Sequence, residues 1–71
     1  MYFTLNKKNY YTGEVIQQVC CKMYCNSRDH AVQIAREKFL IGGIWREYGR
    51  SLTFFPYGQQ GTLYTLTCYG K

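Results

Sequence analysis

Seventy-one residues make one domain of about half the usual length, so separate catalytic and binding halves are excluded. An apolar fraction of 46% against 18% charged residues is that of a folding chain, and no apolar run approaches the roughly 20 residues of a membrane helix. Nine Lys and Arg against four Asp and Glu leave +5, which speaks against an acidic mimic of DNA and for nucleic acid or an acidic protein surface as partner.

Residues 2–7 alternate, with Phe3 and Leu5 on one face and Tyr2 and Thr4 on the other, which predicts a short strand. The polar stretch 7–13, with Asn9 and Gly13, predicts a hairpin loop. Alternation resumes over 14–25: Val15, Val19, Cys21, Met23 and Cys25 share one face, and Ile16, Gln18, Cys20, Lys22 and Tyr24 the other. Asn26 is then the expected N-cap of a helix, with Asp29 three positions on to bond back and meet its positive end. Ala31, Ile34, Ala35 and Phe39 fall at helical spacing, and Gly42-Gly43 is expected to end the helix. Strands follow over 44–48, 51–57 and 62–69, with turns at Gly49-Arg50 and 58–61. Pro56 marks the end of its strand or an edge position, because it cannot donate to a ladder. In the last strand Tyr64, Leu66 and Cys68 face one way.

The order β-β-α-β-β-β predicts a single compact α+β domain over 1–71, with one helix packed on a five-stranded antiparallel sheet. A chain this short buries only about 60% of its unfolded surface and needs large side chains for a core. Eight Tyr, four Phe and one Trp supply them. The segment from Met1 to Leu5 lacks the basic, apolar, small-residue order of a signal peptide, so the expected compartment is intracellular and the four cysteines are expected as thiols.

Catalytic and metal chemistry have little to stand on. Cys21, Cys25, Cys68 and His30 have the donor types of a zinc site, but only Cys21 and Cys25 have knuckle spacing. In a strand those two side chains would stand about 13 Å apart, too far to share one ion. The expectation is core thiols, with no metal and no cofactor. His30 is the only histidine, and its neighbours Ser27 and Asp29 are better used in capping. The four carboxylates form no close pair, and Gly42-Gly43 is no phosphate loop, so the chain reads as a non-enzyme.

The face of the sheet away from the helix is more informative. Tyr2, Ile16, Tyr24, Trp45, Phe55, Tyr57 and Tyr69 are expected there with Lys22, and Lys7, Lys8, Arg46 and Arg50 at its rims. Monomers seldom expose so many aromatics together. Such a face suits a protein interface, base stacking on nucleic acid, or pairing with a second copy, so both monomer and homodimer stay open. Arg28, Arg36 and Lys38 give the helix a second basic surface, diluted by Asp29 and Glu37. The hairpin loop carries Lys7, Lys8, Tyr10 and Tyr11 and is a candidate contact loop.

Ala31, Ile34 and Ala35 in the helix, Gly43, the apolar strand around Phe54, the turn glycine Gly61 and the late Cys68 form a layout over 27–68 that resembles a small phage-encoded anti-CRISPR protein of the type I-F inhibitor group. The resemblance implies a non-enzymatic inhibitor in the cytoplasm of a bacterial host. It would sit on a host protein or ribonucleoprotein complex, such as a CRISPR effector, and block target DNA. In that group a basic helix makes the contact. The matching positions here are Val32, Gln33 and Glu37, so Arg28, Arg36 and Lys38 would have to stand in. The residues expected to bind, to protein or to nucleic acid, are therefore Lys7, Lys8, Tyr10, Tyr24, Arg28, Arg36, Lys38, Trp45, Arg46, Arg50 and Tyr57. Direct DNA or RNA binding by the basic aromatic face is the alternative.

Overall fold

A computed structural model describes residues 1–39, 42–49 and 51–70. Within them lie β1 (Tyr2–Asn9), β2 (Val15–Tyr24), α1 (Arg28–Lys38), β3 (Gly43–Tyr48), β4 (Ser51–Pro56) and β5 (Thr62–Tyr69). The strands form one antiparallel sheet in the order β2-β1-β5-β4-β3, and α1 lies on one of its faces. This is the expected α+β arrangement. The first strand runs further than the sequence predicts, so Lys7 and Lys8 belong to β1 and not to the hairpin loop.

The core sits under the helix. Phe3 and Leu5 of β1, Leu66 of β5 and Phe54 of β4 pack with Cys20, Cys25, Ala31 and Ala35, all buried. Ala31 and Ala35 are four apart, so they share one stripe of α1, and their small side chains let the helix approach the larger sheet residues closely. Helix entry is capped one residue later than expected. The Ser27 hydroxyl, not Asn26, accepts the His30 N–H at 3.1 Å, and His30 Nδ1 in turn accepts the Asn26 N–H at 2.9 Å. The arrangement is a variant of the capping box, with histidine in the glutamate position reaching the N–H one residue before the cap. Asp29 lies in the first turn and Arg36 and Lys38 in the last, each complementing the helix dipole. Helical residues end at Lys38, with Phe39 as C-cap. The step from there to Gly42 includes Leu40 and Ile41, which lie outside the described residues, and Gly43 belongs to β3 rather than to the helix end.

Strand β2 departs from its predicted alternation. Ten of its residues oppose seven of β1, with register shifts at three places. Phe3 pairs with Met23 and Leu5 with Cys20, so Cys21 and Lys22 together stand opposite Thr4. That β-bulge is taken up by Lys22 at φ 55°, in the left-handed region. One extra residue reverses every side chain beyond it. Cys20 is therefore buried and Cys21 exposed, the opposite of the expected faces, and Val15 is 55% exposed instead of inward. Cys25 follows the strand and is fully buried.

Strand β4 is interior, and Pro56 is its last residue. Its register with β5 runs from Ser51 to Phe54, so the missing proline N–H falls beyond that ladder. Opposite Pro56 stands Gly43, where an added Cβ would strike the Phe54 ring and come within 2.6 Å of the Phe55 carbonyl oxygen. Backbone cannot yield there as a flexible side chain could. Gly43→Ala is expected to destabilise the fold by about 1–3 kcal/mol, read as a lower urea midpoint with an unchanged slope.

Candidate functional site

Register sorts every strand residue onto one of two faces. On the helix side lie Phe3, Leu5 and Lys7 of β1, Tyr64, Leu66 and Cys68 of β5, Leu52 and Phe54 of β4, and Trp45 and Glu47 of β3. The other face is uncovered. It is built in rows across the sheet: Tyr24, Tyr2 and Tyr69; then Thr4, Thr67, Ser51 and Tyr48; then Gln18, Asn6, Thr65, Thr53 and Arg46; then Val15, Lys8, Leu63, Phe55 and Ile44. Aromatics thus flank a centre of hydroxyl side chains. Within that centre the Ser51 and Thr67 hydroxyls are 3.2 Å apart, and Thr53 is buried between its neighbours.

The sequence-predicted site residues divide between the two sides. Lys8, Tyr10, Tyr24 and Arg46 belong to the uncovered face or its rim. Tyr10 packs edge-on to Phe55 at 6.3 Å between ring centres and helps line a shallow groove of about 370 Å³ with Lys8, Tyr48, Phe55, Leu63 and Thr65. At the far end Tyr24 meets Tyr2 edge-on at 5.8 Å, and Lys22 Nζ lies 5.2 Å from the Tyr2 ring centre. Tyr11, beside Tyr10, is exposed at the hairpin tip.

Trp45 and Tyr57 are corrections of face. Trp45 was expected outward; it pairs with Phe54, packs on that ring at 5.0 Å and joins the core from the helix side. Its Nε1 is the buried side-chain polar atom without a hydrogen-bond partner among the described residues. Tyr57, past the end of β4, turns to the helix side. With Arg36, Trp45, Phe54 and the two glycines Gly42 and Gly43 it lines a cleft of about 320 Å³. Arg28 is ion-paired with Glu47, Lys38 is exposed in the last helical turn, and Lys7 lies on the helix side of β1. Arg50 lies outside the described residues. The helix and the uncovered face therefore cannot contribute to one contact surface.

None of the four carboxylates belongs to a strand residue of the uncovered face. Glu47, Asp29 and Glu37 are on the helix side, and Glu14 is in the β1–β2 connection. Lys8, Lys22 and Arg46 thus give that face a positive field with no acid among its strand residues to offset it. Sequence reasoning missed Tyr48 and the hydroxyl rows. Both had a signal, because Ile44, Arg46 and Tyr48 alternate, as do Thr65 and Thr67 against Tyr64, Leu66 and Cys68.

The thiols fall into two pairs, Cys20 beside Cys21 and Cys25 against Cys68. All four are free, and among the described residues no group of three or more His, Cys, Asp or Glu side chains lies together as a metal site would require. Burial pushes the Cys20 thiol up, with Cys21 adding and Lys38 opposing. Burial also raises Cys68, helped by its contact with Cys25 and opposed by Arg28. Comparison with known proteins brings no relative to this geometry: no family model, curated protein or solved structure matches the chain. Nor is any helix among the described residues long and apolar enough to cross a membrane.

Two outcomes follow from these positions. Trp45→Ala is expected to cost at least about 2 kcal/mol, lowering the melting temperature by about 10 °C or more, because it empties core volume. In native protein iodoacetamide is expected to label Cys21 first and the half-buried Cys68 more slowly, with Cys20 and Cys25 reacting only on unfolding; peptide mass spectrometry reads the order.

Proposed function

We propose that this chain is a non-enzymatic binding protein that acts by stoichiometric occupancy, and that its contact surface is the uncovered sheet face rather than the helix. The observation that carries this reading is the segregation just described. A face bearing exposed Tyr2, Tyr24, Tyr48 and Tyr69, three cations and no strand carboxylate lies opposite a helix whose charges are mixed. Tyr and Arg are the side chains that anchor interfaces, and aromatic area in a small monomer is costly to leave in water without a partner.

The target class follows from the resemblance of 27–68 to small phage-encoded inhibitors. On this reading the protein comes from a phage or mobile element and works in the bacterial cytoplasm. There it occupies a host nucleic-acid machine such as a type I CRISPR surveillance complex, so that target DNA is excluded. The helix positions that would match that group, Val32, Gln33 and Glu37, are not basic, and Arg28 is engaged with Glu47. The basic surface whose strand residues include no acid is on the sheet. Steering by the net charge of +5 assists the encounter.

Tagged protein and two double variants, Tyr48→Ala with Arg46→Ala and Arg36→Ala with Lys38→Ala, would be used to capture partners from bacterial lysate. The expected result is a stoichiometric partner retained by the helix variant and reduced at least about tenfold by the sheet variant, the scale of one hot-spot anchor. Loss with the helix variant and retention with the sheet variant would overturn the reading.

A further inference from the structure

We propose that what the uncovered face holds on such a machine is single-stranded nucleic acid. This inference rests on the assignment of that face as the contact surface and names what it holds. The face has two aromatic ends, Tyr2, Tyr24 and Tyr69 at one and Tyr10 and Phe55 at the other, and Tyr48 stands between them on the β3 edge, lining the groove. Leu63 and Tyr69 mark those ends on β5 and stand about 20 Å apart by the strand rise. Each end carries a cation, Lys22 over Tyr2 and Lys8 in the groove beside Tyr10, and Arg46 borders the row between them. Rings at the ends can stack unpaired bases, and the cations follow the backbone between the stacks. Hydroxyls of Thr4, Thr65, Thr67 and Ser51 offer donors and acceptors to sugar and phosphate oxygens along the path.

The same features argue against the other occupants. A second copy laid on this face would set Lys8, Lys22 and Arg46 against their own counterparts, with no strand carboxylate on either face to answer them. An apolar protein surface would cover the hydroxyl rows without satisfying them, and the aliphatic side chains Val15, Leu63 and Ile44 form only one border row. Duplex DNA keeps its base faces stacked inside the helix, so the rings would have nothing to stack on. A flexible anion with accessible π-faces is the partner that uses the rings, the cations and the hydroxyls together.

Fluorescence anisotropy of the full chain with labelled oligo-dT and oligo-rU of about twelve nucleotides tests this directly. Both are expected to bind, with a duplex of equal length at least about tenfold weaker. Tyr48→Ala and Tyr2→Ala are each expected to weaken binding about tenfold, while Tyr48→Phe, which keeps the ring, stays within about twofold. Three phosphate contacts at a slope of about −0.7 each predict an approximately 20-fold loss between about 50 and about 200 mM salt. The Arg36→Ala, Lys38→Ala variant is expected to bind as wild type. Equal affinity for duplex, or equal loss in the helix variant, would overturn the inference. So would failure to bind any oligonucleotide while Tyr48→Ala still abolished partner capture; that result would leave the contact surface standing and make its partner a protein. If sheet variants changed neither assay, the contact surface itself would be wrong.

Discussion

One eleven-residue helix has two faces of a five-stranded sheet to serve, and it can serve only one. A helix is about 10 Å across with its side chains, whereas five strands span about 19 Å between outer strands. Among the described residues there is no second helix to place on the other side. The buried set is accordingly one-sided: Phe3, Leu5, Phe54 and Leu66 meet Ala31 and Ala35, and nearly every other large side chain stays at least partly in water.

That constraint also organises the charge. The helix needs acids at its start and bases at its end, and it holds Arg28 against Glu47 of the outermost strand. Carboxylates are thereby used up on the covered side and in the first hairpin connection. The opposite face is left with cations, phenol rings and hydroxyls. Thr53 shows how far this goes, being nearly buried on the uncovered face without any helix above it. Its neighbours on either side close over it.

The fold was legible wherever strand pairing is regular. In β5 a clean alternation survives because the strand is central and pairs with β1 residue for residue from Tyr2–Tyr69 to Asn9–Thr62. In β2 the same reading fails because three register shifts break the period, and a bulge leaves no mark in composition when the residue that takes the positive φ is a lysine rather than a glycine. Trp45 was misplaced for another reason. Alternation in β3 puts Ile44, Arg46 and Tyr48 together and Trp45 apart from them, but which set faces the helix depends on pairing with Phe54 nine residues later. His30 reads in sequence as a spare imidazole, and only the geometry of the first turn shows it bonded on both sides of the cap. The basic aromatic character of the site was visible in the residue types; its division between two sides was not, because nothing local separates Lys7 from Lys8 except the direction of a pleat.

The strand order has a consequence in time. Three of the four strand pairings join elements that are close in sequence, but the one at the centre joins residue 2 to residue 69. Closing so long a loop is entropically slow, and topologies dominated by distant pairings fold slowly for their size. During synthesis at a ribosome, the β1–β2 hairpin would emerge early with one edge of β1 open and its apolar side chains uncovered. It would stay so until the final strand left the exit tunnel and slid into the gap. The protein is therefore most vulnerable to aggregation and proteolysis until β5 has been made, and its sheet becomes continuous only when that strand pairs with β1.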